Sequence, residues 1–537
     1  MKKIELNVLT LVLGLVLLGC GGTADILSTP VENIDNTPLK VTDLTEDEMK
    51  TWGHLDLVAD TIPGMSVNKA YDELLKGKKG VTTIVAIIDS GIDIDHEDLD
   101  DVIWRNKDEV PNNGKDDDKN GFIDDVHGWN FLGDTYDEQM EYVRLLASGN
   151  TAHPRYLEAK AELEKEYNEA MGNKTRYEQI LQQIKQSDVA VAAHLKKKDY
   201  TREEVNAIKT EDQTLLQHVS VIKQTYGFGI GTIAETITEL NDAIEYFTER
   251  LNYHFNKDFK GRKNGDDPND FSSIFYGNNN VKPIKKSESH GTHVAGIVAA
   301  ERDNGKGVNG VASNVKIMPV RAVPNGDEYD KDVALAIRYA VDNGARIINT
   351  SFGKYYSPHS DKVRDAIRYA AQKDVLIVNA AGNEGIDVDT KDVFPNDTEG
   401  GKEISDNFIT VGALVPKYGS GMVASYSNYG KNNVDVFAPG SSIYSTIPEN
   451  EYKSQPGTSM AAPAVAGIAA LIRSHYPKLS ASQVKQILIE SGLAIKSKVV
   501  VGGNSQDVRP FEGLSKSGKI VNAYNAIIMA AKMSKVN

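Results

Sequence analysis

One cysteine stands in 537 residues, so no disulfide framework can hold this chain together. That residue, Cys20, closes the run Leu17-Leu18-Gly19-Cys20, which follows a positive start at Lys2 and Lys3 and an apolar stretch from Leu9 to Leu18. The order is that of an export signal ending in a bacterial lipobox. The apolar stretch is also short of the roughly twenty residues that a membrane span needs. With Cys20 lipidated, the mature chain is expected to be an exported lipoprotein held by its N-terminus on a membrane, at the outer membrane or cell surface. No thiol then remains for a nucleophile or a zinc-thiolate site.

Positive charge is in short supply as well. Sixty Lys and Arg against 76 Asp and Glu leave a net charge of -16, which argues against nucleic acid as a partner. Much of the acid is clustered, and clustered carboxylates point to a cation site more than to a general field. An exported fold without disulfides must find stability elsewhere, and bound calcium is one answer.

After a polar, proline-dotted tether over 21–50, the composition becomes that of a packed domain. Thr82 to Ile88 is short, β-branched and apolar, as expected of a strand covered on both faces in a parallel sheet. It runs into Asp89-Ser90-Gly91, and the carboxyl end of such a strand is where α/β proteins place functional groups. The segment from Asp116 to Asp125 then offers Asp116, Asp118, Asn120, a glycine at the sixth place and the carbonyl of Phe122, the opening of an EF-hand-type loop. His127 stands where that loop would end in glutamate, so Asp124 or Asp125 is expected to close the shell.

Residues 135–270 change texture. Tyr156 to Met171, Tyr177 to Lys198 and Ile230 to Phe255 carry apolar residues at helical spacing, and Thr201 with Glu204 forms a capping box. This predicts an inserted all-α subdomain of four or five helices and a return loop. It is either an inert packing module or a cap or docking surface that binds a partner or covers a cleft.

Beyond it, Ser289-His290-Gly291-Thr292-His293 opens a helix of small residues. The two histidines have no third histidine or carboxylate nearby at a useful spacing, which sets zinc aside. Strands at 315–320, 346–350, 375–379, 408–414 and 434–437 alternate with helices at 331–343 and 358–373, the βα pattern of a mainly parallel sheet. Two strand ends carry Asn349-Thr350-Ser351-Phe352-Gly353 and Ala380-Ala381-Gly382-Asn383. Last comes Gly457-Thr458-Ser459-Met460-Ala461-Ala462-Pro463, which puts a serine hydroxyl at the start of a buried helix. Unpaired N–H groups and the positive dipole end gather there and suit a developing negative charge. Pro463 is expected to lie within that helix's first turn.

Asp89, His290, Ser459 and Asn383 together supply what acyl transfer needs: an orienting acid, a base, a nucleophile and an oxyanion donor. With the motifs around them, Ile88 to Gly91, His290 to Gly296, Ala381 to Asn383 and Gly457 to Pro463, the chain resembles the subtilases, the subtilisin-like serine peptidases. The likeness runs over about 52–131 and from about 271 onward, leaving the helical insertion outside it. It implies an α/β, three-layer subtilisin-like fold divided by the insertion into parts at 51–134 and 271–537. It implies an endopeptidase acting on polypeptides, in which Ser459 attacks, His290 is base and then acid, Asp89 orients His290, and Asn383 donates to the oxyanion with the N–H of Ser459. Ser351, Phe352 and Gly353 would pair with extended substrate, and Ala380, Ala381 and Gly382 would wall the pocket for the residue before the cut. Asp98 and Asn304 match side-chain ligands of the family's strong calcium site, and the loop at Asp116 resembles a second. Two readings compete: a surface binding protein that keeps the scaffold without catalysis, and an esterase or amidase using the same residues. The stretch ahead of the core is short for the family's usual prodomain, and the insertion is expected to do part of that work over or beside the cleft.

Overall fold

The computed structural model describes residues 28–31, 34, 37–227 and 231–535, so Cys20 and the export signal lie outside the described residues. Nine strands form the central sheet: β1 Thr83–Asp89, β2 Trp129–Asn130, β3 Val315–Arg321, β4 Ile347–Thr350, β5 Leu376–Ala380, β6 Phe408–Leu414, β7 Val436–Pro439, β8 Leu493–Ala494 and β9 Lys519–Ile520. Their order is β8-β9-β7-β6-β5-β4-β1-β3-β2, parallel throughout except for the β8–β9 pair. Alternation along each strand divides the core. Val85 and Ile87 of β1 face one layer, while Ala86 and Ile88 face the other, and Leu376 and Val378 of β5 part from Ile377 in the same way.

Eleven α-helices are named here: α1 Glu141–Ala147, α2 Tyr156–Leu195, α3 Arg202–Ala207, α4 Gln213–Gly227, α5 Ile233–Glu249, α6 His290–Ala299, α7 Asp330–Asp342, α8 Ser360–Gln372, α9 Thr458–His475, α10 Ala481–Glu490 and α11 Ala523–Met533. On one face of the sheet lie α6, α9, α10 and α11, and on the other α7 and α8. The small residues from Met460 to Ile472 let α9 sink between the sheet and its neighbours, and all of them are buried. Pro463 is the sixth residue of α9 rather than part of its first turn. Its missing N–H leaves the Ser459 carbonyl without a helical partner, and the Ser351 hydroxyl donates to that carbonyl at 2.8 Å.

The insertion carries α1 to α5, with Arg250–His254 as a terminal π turn. The segments 156–171 and 177–198 join into one helix of 40 residues. Gly172 alone costs about 1 kcal/mol against alanine in a helix, a penalty that packing on both sides outweighs. Ala159 and Ala170 pack near the base with Tyr142, Val143 and Phe255, and Ile184 and Val191 pack at the far end with Val219, Ile222 and Ile233. The capping box at Thr201 makes both expected hydrogen bonds, and a second one caps α10 at Ser480. The stretch read as a tether is partly docked: the Asn525 side chain satisfies both main-chain groups of Val31, and Ile34 is buried. Among the described residues, no helix is long and apolar enough to cross a membrane.

Beside the end of β1 lies a fully buried ion pair. Arg321, opposite Asp89 in the β1–β3 register, holds Glu288 Oε1 at 2.7 Å and also donates to Asn130, Gly133 and Thr135. The Glu288 carboxylate accepts the N–H groups of Gly91 and Ile284 as well. Removing one partner of such a pair leaves an uncompensated buried charge, at a cost of about 3–5 kcal/mol. Glu288→Leu is therefore expected to lower unfolding stability by that order in chemical denaturation; an unchanged denaturation midpoint would contradict the role given to this pair.

Candidate active site

The three segments that carry acid, base and serine meet where the sheet's central strands end. Asp89 is the last residue of β1, and its carboxylate is buried. Oδ1 accepts from the Ser90 N–H and from His290 Nδ1, both at 2.7 Å, while Oδ2 has no hydrogen-bond partner among the described residues. His290 is the first residue of α6, and its side chain is 39% exposed. Gly291 lets this helix start press against the β1 end, because a Cβ there would sit 2.6 Å from the Ser90 carbonyl oxygen. Burial by itself lowers the pKa of the His290 imidazole, but the charge and hydrogen bond of Asp89 outweigh it, so the value lies above the ordinary one.

Ser459 is the second residue of α9. Its hydroxyl donates to the Ser351 carbonyl at 3.0 Å, and no hydrogen bond joins it to His290 among the described residues. Ser351 directly follows β4, a neighbour of β1, and it holds Ser459 at both hydroxyl and carbonyl. The Asn383 side chain is fixed from one end only. Its Oδ1 accepts from the N–H of Thr458 at 2.9 Å and from the Thr458 hydroxyl at 3.0 Å, which assigns Nδ2 to the free side. Thr458 in turn accepts the Gly382 N–H. Gly382, at φ +100°, has no room for a Cβ, which would lie 2.3 Å from the Asn428 amide nitrogen. Ala380 and Ala381 are buried beside it and, with Val393 and Pro395, line a small cavity of about 30 Å³.

The second histidine of the motif is in a different setting. His293 is buried, its Nε2 lies 2.9 Å from the Lys453 carbonyl oxygen, and burial lowers its pKa to about 4.

In the acidic loop the carboxylates fall into two sets. One carboxylate oxygen each of Glu109, Asp118 and Asp125 lie within 4.8 Å of one another. Glu109 Oε2 is buried without a partner, and burial pushes the Asp125 carboxyl up to about 6 against hydrogen bonds from Tyr339, Asn120 and Asn106. Asp116 instead accepts the N–H groups of Asn120 and Gly121, and Asp124 those of Asn113 and Gly114. Asn120 bridges Asp118 and Asp125 through its amide, and the Phe122 ring packs on Trp129 and Tyr339. At the other expected site, Asn304 Nδ2 donates to the buried Asp98 at 2.7 Å, and Asp98 also accepts the Val308 N–H.

The motif reading gave no role to four residues of these sites: Thr458, Glu288, Arg321 and Glu109. Thr458 was visible as part of the serine motif. The others are single charged residues: Glu288 and Arg321 meet across 33 positions, and Glu109 stands just ahead of the acidic run it joins.

A model of the subtilase family matches residues 80–509. The chain is 45% identical over 188 residues to a thermophilic serine proteinase of Bacillus sp. (strain AK1), which is 35% of this chain and 43% of that protein. It is 42% identical over 200 residues to subtilisin DY of Bacillus licheniformis, 37% of this chain and 68% of that one. A solved protease of Pseudoalteromonas arctica PAMC 21717 aligns at 32% identity and a TM-score of 0.36, over 45% of this chain and 70% of the other. With a family match that spans both sides of the insertion, this chain belongs to the subtilase family.

Proposed function

We propose that the chain is a serine endopeptidase that cleaves polypeptides through an acyl-enzyme. The observation that carries the reading is the buried Asp89 carboxylate on His290 Nδ1, with the Asn383 side chain tied through Oδ1 to Thr458, the residue before Ser459. Asp89 fixes the tautomer that leaves Nε2 free to take the Ser459 proton, and it stabilises the imidazolium that forms. The hydroxyl then attacks the peptide carbonyl, and Asn383 Nδ2 with the Ser459 N–H receives the oxyanion. The imidazolium returns its proton to the leaving amine, and water repeats the sequence to release the acid. Substrate helps to align the nucleophile. A peptide strand added along Ser351–Gly353 offers an N–H to the Ser351 carbonyl, the group now holding the Ser459 hydroxyl, and so turns that hydroxyl toward the imidazole.

Calcium fits the acidic loop. Glu109, Asp118 and Asp125 are hard oxygen donors, and the unpartnered buried oxygen of Glu109 lacks a positive charge beside it. Asp98 and Asn304 would hold a second ion. Bound there, calcium would supply stability rather than chemistry. Lipidation of Cys20 would keep the enzyme at the membrane surface, with the lipobox as its support.

Casein hydrolysis is expected of the wild type and absent from Ser459→Ala; equal rates would end the peptidase assignment. The base must be neutral, so kcat/KM of the wild type rises through a midpoint above 6.5, the ordinary histidine value. In Asp89→Asn the midpoint falls and kcat drops by about 10⁴-fold; a pH profile that stays in place would remove Asp89 from its role. Excess calcium binding only the folded state adds about 2.7 kcal/mol at a hundred times its dissociation constant. Calorimetry is expected to show a lower Tm on chelation and a smaller calcium increment in Glu109→Gln, and a chelator without effect would refute the ion. Cys20→Ala is expected to move the protein from membranes to the soluble fraction; a variant still sedimenting with membranes would rule out the lipid anchor.

A further inference from the structure

Where the insertion meets the sheet domain, buried acids outnumber buried bases. The chain entering the insertion runs beside the segment that leads from β3 to α7. Asn325 donates to the Tyr136 carbonyl and accepts the Glu138 N–H, both at 2.8 Å, and Asp327 donates to Gln139 at 3.3 Å. The Asp327 carboxylate accepts the Glu141 N–H at 2.7 Å. The chain leaving the insertion closes on the start of α7, where Arg262 holds Asp332 at 2.8 Å and Asp266 holds Lys331 at 2.6 Å.

Every cation of this seam is committed elsewhere. Arg144 pairs with Glu141 at 2.6 Å and otherwise donates to the carbonyls of Gln139, Asp327 and Glu328. The Lys354 ammonium has three donors, and it meets Glu141 at 2.9 Å, Asp330 at 3.0 Å and the Glu328 carbonyl at 2.6 Å. Arg262 and Lys331 share Asp266, with Asp332 and the Asp267 carbonyl as their other partners. Among the described residues no ion pair is left for the carboxylates of Glu138, Asp327 and Glu328, which are 1%, 7% and 3% exposed.

Their surroundings do not replace the missing charge. Tyr329 donates to one oxygen of Glu138, and the other is buried with no hydrogen-bond partner among the described residues. Glu328 lines a cavity of about 10 Å³ with Val333, Val363, Phe394 and Pro395. A buried carboxylate without a cation takes up a proton rather than bear the cost of its charge. Burial outweighs Arg144 and Arg262 at Glu138, Arg144 and Lys354 at Asp327, and Lys354 at Glu328, where Asp327 and Asp330 add their repulsion. All three pKa values are therefore raised, that of Glu328 to about 8. A metal ion is not the alternative here, because among the described residues Glu109, Asp118 and Asp125 are the acids and histidines that converge to ion-binding distance.

We propose that the insertion is seated by a proton-dependent seam: Glu138 on one side and Asp327 and Glu328 on the other are held as neutral acids, and their ionisation sets like charges across the seam and loosens it. The seam borders the cleft, since Lys354 directly follows Ser351–Gly353, the lip along which a substrate strand would lie, yet it contains no residue of the proposed catalytic set. It stands whether or not the chain is a peptidase.

Once the seam opens, the three acids return to ordinary values. Each proton kept in the closed form and lost in the open one then weakens closure by up to tenfold per pH unit. The loss begins above the ordinary carboxylate range and, for Glu328, ends at about 8. The seat is firmest in mild acid.

The test is hydrogen exchange on the full chain carrying Ser459→Ala, which excludes self-digestion. The amides of Glu138, Glu141, Asn325 and Asp327 donate across the seam and report its opening, and those of β1 serve as the control. After correction for intrinsic exchange, protection at the seam is expected to fall at least about tenfold from pH 6 to pH 8, while protection in β1 changes by less than about twofold. Seam protection that stays within about twofold over that range overturns the proposal, and so does a fall shared equally by β1. In Glu328→Gln, neutral at every pH, the fall is expected to shrink severalfold, and a fall identical to that of the parent counts against the assignment. Should that variant not fold, the parent profile decides alone.

Discussion

A carboxylate buried at the end of β1 is the constraint that the site answers to. Asp89 sits in register with Arg321, and an ion pair between them would draw its charge away from His290. Glu288 prevents this by holding the guanidinium from the other side, with three carbonyl or amide oxygens completing the grip. The negative charge of Asp89 is left to one imidazole. Two buried carboxylates thus lie close together, Glu288 on a guanidinium and Asp89 on an imidazole.

The helix start at Thr458 solves a similar problem for a neutral group. An exposed asparagine amide rotates freely unless one end is tied, and two donors from Thr458 tie Oδ1 of Asn383. Pro463 contributes from four residues along. By lacking an N–H it releases the Ser459 carbonyl to Ser351, which joins the nucleophile's backbone to the lip along which substrate would lie. A residue that weakens a helix elsewhere here supplies an acceptor where the fold needs one.

Much of this was legible in the sequence. The β-branched runs of β1 and β6 and the small-residue run of α9 announce their environments, and the four motif segments were visible because each combines a special residue with glycine or alanine neighbours. Less legible were interactions between lone residues distant in sequence. Glu288 looked like one more charge in a polar loop, and Glu109 preceded the acidic run it joins. Asp116 and Asp124 also accept nearby backbone N–H groups, because a short carboxylate can satisfy a tight loop from within. The 40-residue helix was hidden by Gly172 and its polar neighbours, whose poor propensity is overridden by contacts at either end.

That helix carries two separate apolar clusters, one at its base with Tyr142 and Tyr356 and one near its tip with Val191 and Ile222. At about 1.5 Å per residue it spans on the order of 60 Å, so the tip module owes its cohesion to its own small interior. Changes there are separated by the length of the helix from the base and the segments it touches, which makes the far end of the insertion the part of this chain that substitution can rewrite with the least effect on the Asp89–His290 pair.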